Sequence, residues 1–166
     1  MSGGMAQVRE RMAEYLNSRG VKARTAWPES REPLGAEPVA VVSLRGCQAE
    51  SAGLLDYLGE RFNGDTGLWE ERYGKKLRLT LGLDLYAPEQ GDGADLQRTF
   101  DRLACALTLG GPEGLSVREF SCGETVYDTR ARMRKRPVQA VCDGFLCATA
   151  LPGGTFSDFE LRGGMK

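Results

Sequence analysis

Histidine is absent from the 166 residues, which removes the commonest general base, the commonest metal ligand and the partner of most serine or cysteine nucleophiles. What remains for chemistry is five cysteines, paired carboxylates, glycine-rich turns and one basic run. Cys142 and Cys147 lie five positions apart in a segment that reads as a strand, so they fall on opposite faces, and no CxxC spacing accompanies them. With Cys47, Cys105 and Cys122 they form an odd set among apolar neighbours, the pattern of buried free thiols rather than a secreted disulfide framework. Glu70–Glu71 and Asp92–Asp95 fall in loops or beside a helix start, where solvation and the helix dipole account for them. GDGADL lacks the third glycine of a dinucleotide fingerprint, and TLGGPEG lacks the lysine of a phosphate loop. These residues assign no catalytic group, no metal site and no cofactor. An enzyme would have to use Cys, Lys or carboxylates in an unobvious site.

Two features point to contacts instead. Arg130, Arg132, Arg134, Lys135 and Arg136 make the densest charge in the chain. They read either as a solvated hairpin tip that keeps an edge soluble or as a surface facing phosphate or an acidic neighbouring subunit. Such a turn would face DNA, transiently, only if a ring placed it inside a pore. Phe156, Phe159 and Leu161 make the C-terminal FSDFELR too apolar to be idle. That segment has the length of a strand, to be added to a neighbour's sheet edge or packed back on its own domain. Trp69 and Tyr73 are the large anchors of Asn63–Gly74 and join the expected subunit or partner interface.

The elements that must position these groups follow from periodicity. Met5, Val8, Met12, Tyr15 and Leu16 give a helix over Met5–Arg19, with Ser2 to cap it and Gly20 to end it. VKARTAW and PVAVVSLRG read as strands, separated by a loop through Pro28, Pro33 and Gly35. Ala49–Phe62 reads as a short helix weakened by Gly53 and Gly59. KKLRLTLGLDLY, with leucine at every second position from Leu77 to Leu85, is a long strand with one buried face. Ala94–Leu109 is a helix capped by Asp92, and Leu115–Tyr127 and Val138–Ala150 are two further strands. The expected fold is α+β: a mainly antiparallel sheet of about five strands with two helices on one face. Residues 1–150 form a single domain with a surface excursion at 49–74, and residues 151–166 form an extended C-terminal tail.

Composition agrees with a folded chain: 41% hydrophobic and 27% charged. Lysine and arginine number 22 against 23 acidic residues, so no long-range field draws the whole molecule to nucleic acid or to a membrane. No apolar run spans a bilayer, and MSGGMAQVRE lacks the layout of a signal peptide, so a soluble cytoplasmic protein is expected.

The order MAQVRERMAEYLNSRG, VKARTAW, PVAVVSLRG, KKLRLTLGLDLYAPE, ADLQRTFDRLACALT, LSVREFSCGETVYD and PVQAVCDGFLCATA resembles that of tail-terminator proteins of long-tailed bacteriophages and related contractile particles. The likeness covers most of the chain and lies in order, length and character rather than in a signature motif. It implies a structural subunit that forms a ring, a hexamer, ends growth of the tail tube and meets the head-side connector or sheath. It implies assembly in the bacterial host cytoplasm, a final place in the particle, no membrane and no catalytic residues. The excursion at 49–74 and the FSDFELRGGMK tail go beyond the resemblance, as added contacts to sheath, tube or neighbour. The alternative is a generic protein-binding adaptor domain.

Overall fold

The computed structural model describes residues 5–26, 37–90, 93–151 and 155–163, with the backbone alone for Ala6 and residues 155–159. A 3-10 turn (Met5–Gln7) leads into helix α1 (Val8–Ser18), whose Val8, Met12 and Leu16 recur every fourth residue and are fully buried. Gly20, at φ +83°, closes the helix: its N–H donates to Asn17 O and the Val21 N–H to Leu16 O at 2.9 Å. That pair of bonds is a Schellman ending, which needs a left-handed residue. Asn17 then brackets Ala23, accepting its N–H at 3.0 Å and donating to its carbonyl at 3.1 Å.

Among the described residues of VKARTAW, Ala23–Arg24 forms a strand (β1), and it runs parallel to β2 (Val39–Ser51). The centre of the sheet is β4 (Leu68–Pro88), 21 residues long. On one side it pairs with β2 and then with β3 (Tyr57–Asn63). On the other it pairs with β7 (Met133–Arg136) and β8 (Val138–Leu151). Strands β5 (Ser116–Cys122) and β9 (Thr155–Arg162) flank β8, and β6 (Val126–Asp128) flanks β7.

Helix α2 (Ala94–Leu109) presents Leu96, Leu103 and Leu107 to the same core as α1. Both helices cover the odd-numbered face of β4, where Leu77, Leu79, Leu81, Leu83 and Leu85 are at most 3% exposed. Each leucine contributes about 2 kcal/mol of burial before chain entropy is counted. The Tyr15 hydroxyl donates to Ala106 O and ties the helices together. Gly93, at φ +80°, occupies the N-cap of α2 with no side-chain bond. The expected caps Asp92 and Ser2 lie outside the described residues, as does the loop through Pro28, Pro33 and Gly35.

The expected sheet of about five antiparallel strands is overturned: the sheet has nine strands and is mixed, because β1 is parallel to β2. Interruptions account for much of the difference. Leu85 faces Arg136 and Gly82 faces Gln139 in one register, so β7 and β8 form a single track along β4. The track breaks at Pro137, which has no N–H to give. The helix expected over Ala49–Phe62 is also absent. Residues 49–51 finish β2, a bend follows, and Tyr57–Asn63 pairs with the start of β4. Gly59 sits there at φ +115° beside a bulge, a conformation a helix does not use.

Strand β9 pairs with β8 of its own chain, so the C-terminal segment is part of the sheet. Leu161 is 5% exposed within the core cluster, and Gly144 makes room for it: a Cβ there would stand 3.5 Å from Leu161 Cδ1 and 3.0 Å from Gly114 O.

Candidate functional site

The tip of hairpin β3–β4 projects past β8 as an arm, while Glu71, Arg72 and Tyr73 at its base still pair with Ala150, Thr149 and Ala148 of β8. Its turn is set by Asn63, whose Oδ1 accepts the Asp65 N–H at 2.9 Å and whose carbonyl accepts the Gly67 N–H at 2.8 Å, with Gly67 left-handed at φ +71°. Side chains alternate along β4, so the face carrying Leu77 under the helices continues outward as Lys75, Tyr73, Glu71 and Trp69. Trp69 faces Phe62 across the strands with ring centroids 5.5 Å apart, and Tyr73 faces Tyr57 at the same distance. Trp69 is 56%, Phe62 52% and Tyr57 46% exposed, and Leu55 and Leu58 beside them are exposed as well. Aromatic cross-strand pairs stabilise the hairpin itself by up to about 1 kcal/mol each. About half of the Trp69, Phe62 and Tyr57 surface stays in water.

Glu60 and Glu71 are directly opposed between the two aromatic pairs. The Tyr73 hydroxyl donates to Glu71 Oε2 at 2.9 Å. That bond raises the Tyr73 phenol above its usual range, and the Tyr57 phenol is raised by partial desolvation and then by both carboxylates. The opposite face of the arm is built differently. Glu70, 6% exposed, takes Asn63 Nδ2 at 2.8 Å and Arg61 at 3.4 Å. Glu70 and Glu71 therefore do not act together. At the root of the arm, Lys75 pairs with Asp56 at 2.7 Å, which holds the Asp56 carboxyl below its ordinary range together with its bond to Ser51.

The basic run divides by position. Arg134, on β7, grips Asp95 of α2 through two bonds of 3.1 and 2.8 Å and donates to Pro88 O. Arg136 donates to Gln97 at 2.7 Å and stacks over Phe100, 4.9 Å from the ring centre. Lys135 points to the other face, 3.6 Å from Asp84 and over the Tyr86 ring. Three of the five cations thus strap β7 to α2 and β4, leaving Arg130 and Arg132 as the exposed charges of the turn. Arg132 is left-handed at φ +54°, and Asp128 Oδ1 accepts the Arg130 and Ala131 N–H groups that shape the turn.

Asp84 is a buried hub that sequence reasoning missed. It is 7% exposed and receives Arg45, Lys135 and the Val138 N–H. Arg45 is the extra residue of a bulge in β2, and its side chain crosses β4 over Gly82, where a Cβ would come within 2.5 Å of it. Both cations of this cluster converge on one carboxylate whose other oxygen takes a backbone N–H, so it reads as a fastening.

No protein-family model and no curated protein matches the chain.

Trp69 and Tyr73 stand on the arm, whereas Arg130 and Arg132 stand beyond the far end of β4. Leu161 is a core residue, and the side chains of Phe156 and Phe159, on β9 opposite Ala150 and Ala148, lie outside the described residues. Tyr57 and Phe62 were missed because their segment reads as a helix. The signal was the turn cluster NGDTG, Asn63–Gly67, between aromatic-bearing segments. Cys142 and Cys147 are buried on opposite faces, but Cys47, Cys105 and Cys122 are exposed, which corrects the expectation of five buried thiols. A concavity of about 680 Å³ over β2, β4 and β8 is lined by Gln48, Glu50, Lys76, Arg78, Arg118 and Asp143, with both arginines directed at Asp143. Among the described residues no group of three metal-ligating side chains converges, and no helix is long and apolar enough to cross a membrane.

Proposed function

We propose that this chain is a structural subunit of a phage-like tail, a tail-terminator ring protein that caps the tail tube and joins it to the head-side connector or sheath. The observation that supports assembly most directly is the arm: Trp69, Phe62 and Tyr57 are about half exposed on a hydrogen-bonded hairpin outside the helix-covered core. Contiguous exposed aromatics are costly in water and mark protein contacts. A hairpin tied by Asn63, Gly67 and the Asp56–Lys75 pair presents them with little ordering entropy left to lose on docking. The two helices over one face of the sheet are compatible with the tail-terminator reading, which rests on the order and character of the sequence segments.

Light scattering and negative-stain imaging of the purified protein, alone and with tail tubes, test the reading. Rings of about six subunits, or caps on tube ends, are expected. A chain that stays monomeric at tens of micromolar and leaves tube ends bare overturns it and favours an adaptor domain. The substitution Trp69→Ser with Phe62→Ser is expected to dissociate the assembly while leaving the monomer folded.

A further inference from the structure

On the arm, Glu60 and Glu71 are set side by side across two strands, an arrangement that is unfavourable in an isolated hairpin. Among the described residues no cation answers them on that face: Arg61 and Arg72 alternate to the other side, and Lys75 is engaged by Asp56. Tyr57–Tyr73 lies on one flank of the carboxylates and Phe62–Trp69 on the other. Two carboxylates between aromatic pairs make a receptor for arginine, offering ion pairing and ring faces together.

The matching group lies on the same molecule at the other end of the same strand. Arg130 and Arg132 project from the turn before β7, which pairs with the last residues of β4, while Trp69 is at its beginning. At about 3.3 Å per residue the two ends stand roughly 60 Å apart, so the groups cannot meet within one chain.

We propose that the Glu60–Glu71 clamp of one copy receives the Arg130–Arg132 turn of a second copy, making a head-to-tail contact. This inference rests on the self-assembly proposed above and supplies its chemistry. A head-to-tail contact uses two different patches on each subunit and closes into a ring when its rotation closes. Charge sets the register, and the aromatic pairs are the area that becomes buried.

The experiment is charge reversal at each end, read by light scattering and imaging, with thermal melting to confirm the monomer fold. Glu60→Lys with Glu71→Lys, and separately Arg130→Glu with Arg132→Glu, are each expected to raise the half-dissociation concentration at least about tenfold. The chain carrying all four reversals regains assembly, and so does an equimolar mixture of the two reversed proteins. If both reversed proteins assemble as the wild type does, or if the four-fold reversal and the mixture fail to restore what each reversal removed, the head-to-tail contact is overturned while self-assembly stands. A wild-type chain that never associates overturns both.

Discussion

Asp84 Oδ1 accepts the Val138 N–H at 3.1 Å, one residue beyond Pro137, where the β7–β8 track has no proton to offer β4. The carboxylate repairs the break, and its other oxygen holds Arg45 and Lys135. Asp84→Ala leaves two cations facing each other and a buried N–H unpaired, so urea denaturation is expected to show a loss of about 3 kcal/mol. Gly82→Ala displaces Arg45 from its path across the strand and crowds the Ser43 hydroxyl, each 2.5 Å from the added Cβ. Its cost, about 1–2 kcal/mol, falls in an Arg45→Ala background, and strictly additive costs would show that Gly82 does not act through Arg45.

The Arg134–Asp95 pair gives a pH signature. Its hydrogen bonds to Arg134 hold the Asp95 carboxyl below the ordinary value of 3.8. A lowered folded-state pKa contributes stability that is full above the unfolded value and lost as pH falls through the folded one. Arg134→Met is expected to cost about 1–2 kcal/mol at neutral pH, with the difference from wild type shrinking below about pH 4. A difference that stays constant from pH 7 to pH 3 would assign the effect to packing alone.

Strand β9 is part of the sheet, so damage to it weakens the fold itself. Leu161→Ala is expected to lower stability by about 2–4 kcal/mol, measured by denaturation at concentrations where the protein is monomeric. A loss of assembly without any loss of monomer stability would contradict the placement of Leu161 in the core.

Trp69 reports the state of the arm. In a Trp27→Phe background it is the remaining tryptophan, and at 56% exposure it is expected to emit as a solvated indole when the chain is dilute. Its emission shifts to the blue as the concentration rises through assembly. Emission that is independent of concentration while oligomers form would remove the arm from the contact.

Thiol reactivity separates the cysteines. Burial pushes the Cys142 thiol up to about 12, and burial also raises Cys147. Cys47, Cys105 and Cys122 are exposed. A disulfide reagent at pH 8 is expected to titrate three thiols quickly in the native protein and the other two only on unfolding. Rapid reaction of all five would place Cys142 outside the core.

Where the local pattern and the tertiary environment coincide, the elements were legible. The alternating leucines from Leu77 to Leu85 demanded a strand with one buried face. The repeat Leu96, Leu103, Leu107 demanded a helix, which runs from Ala94 to Leu109. Tyr57–Asn63 was not legible as a strand, because its short apolar pattern suits either conformation and the start of β4 decided between them. Of the candidate contact residues, Trp69 proved exposed, whereas Leu161 was drawn into the core by a pairing that local sequence does not encode.

By itself the sequence determined the buried face of β4, the extent of α2, the absence of histidine and the existence of a basic run, because these depend on residue type and spacing alone. The tertiary structure decided the fate of each charge and aromatic ring. Arg134, Lys135 and Arg136 became a strap because β7 lies between α2 and β4, and Arg130 and Arg132 stayed free because their turn runs past the end of β4. Tyr57 and Phe62 became a surface because a sixteen-residue separation in sequence was closed by strand pairing with Tyr73, and a seven-residue one by the Asn63 turn with Trp69. Such meetings depend on long-range backbone hydrogen bonds, whose partners no local pattern specifies.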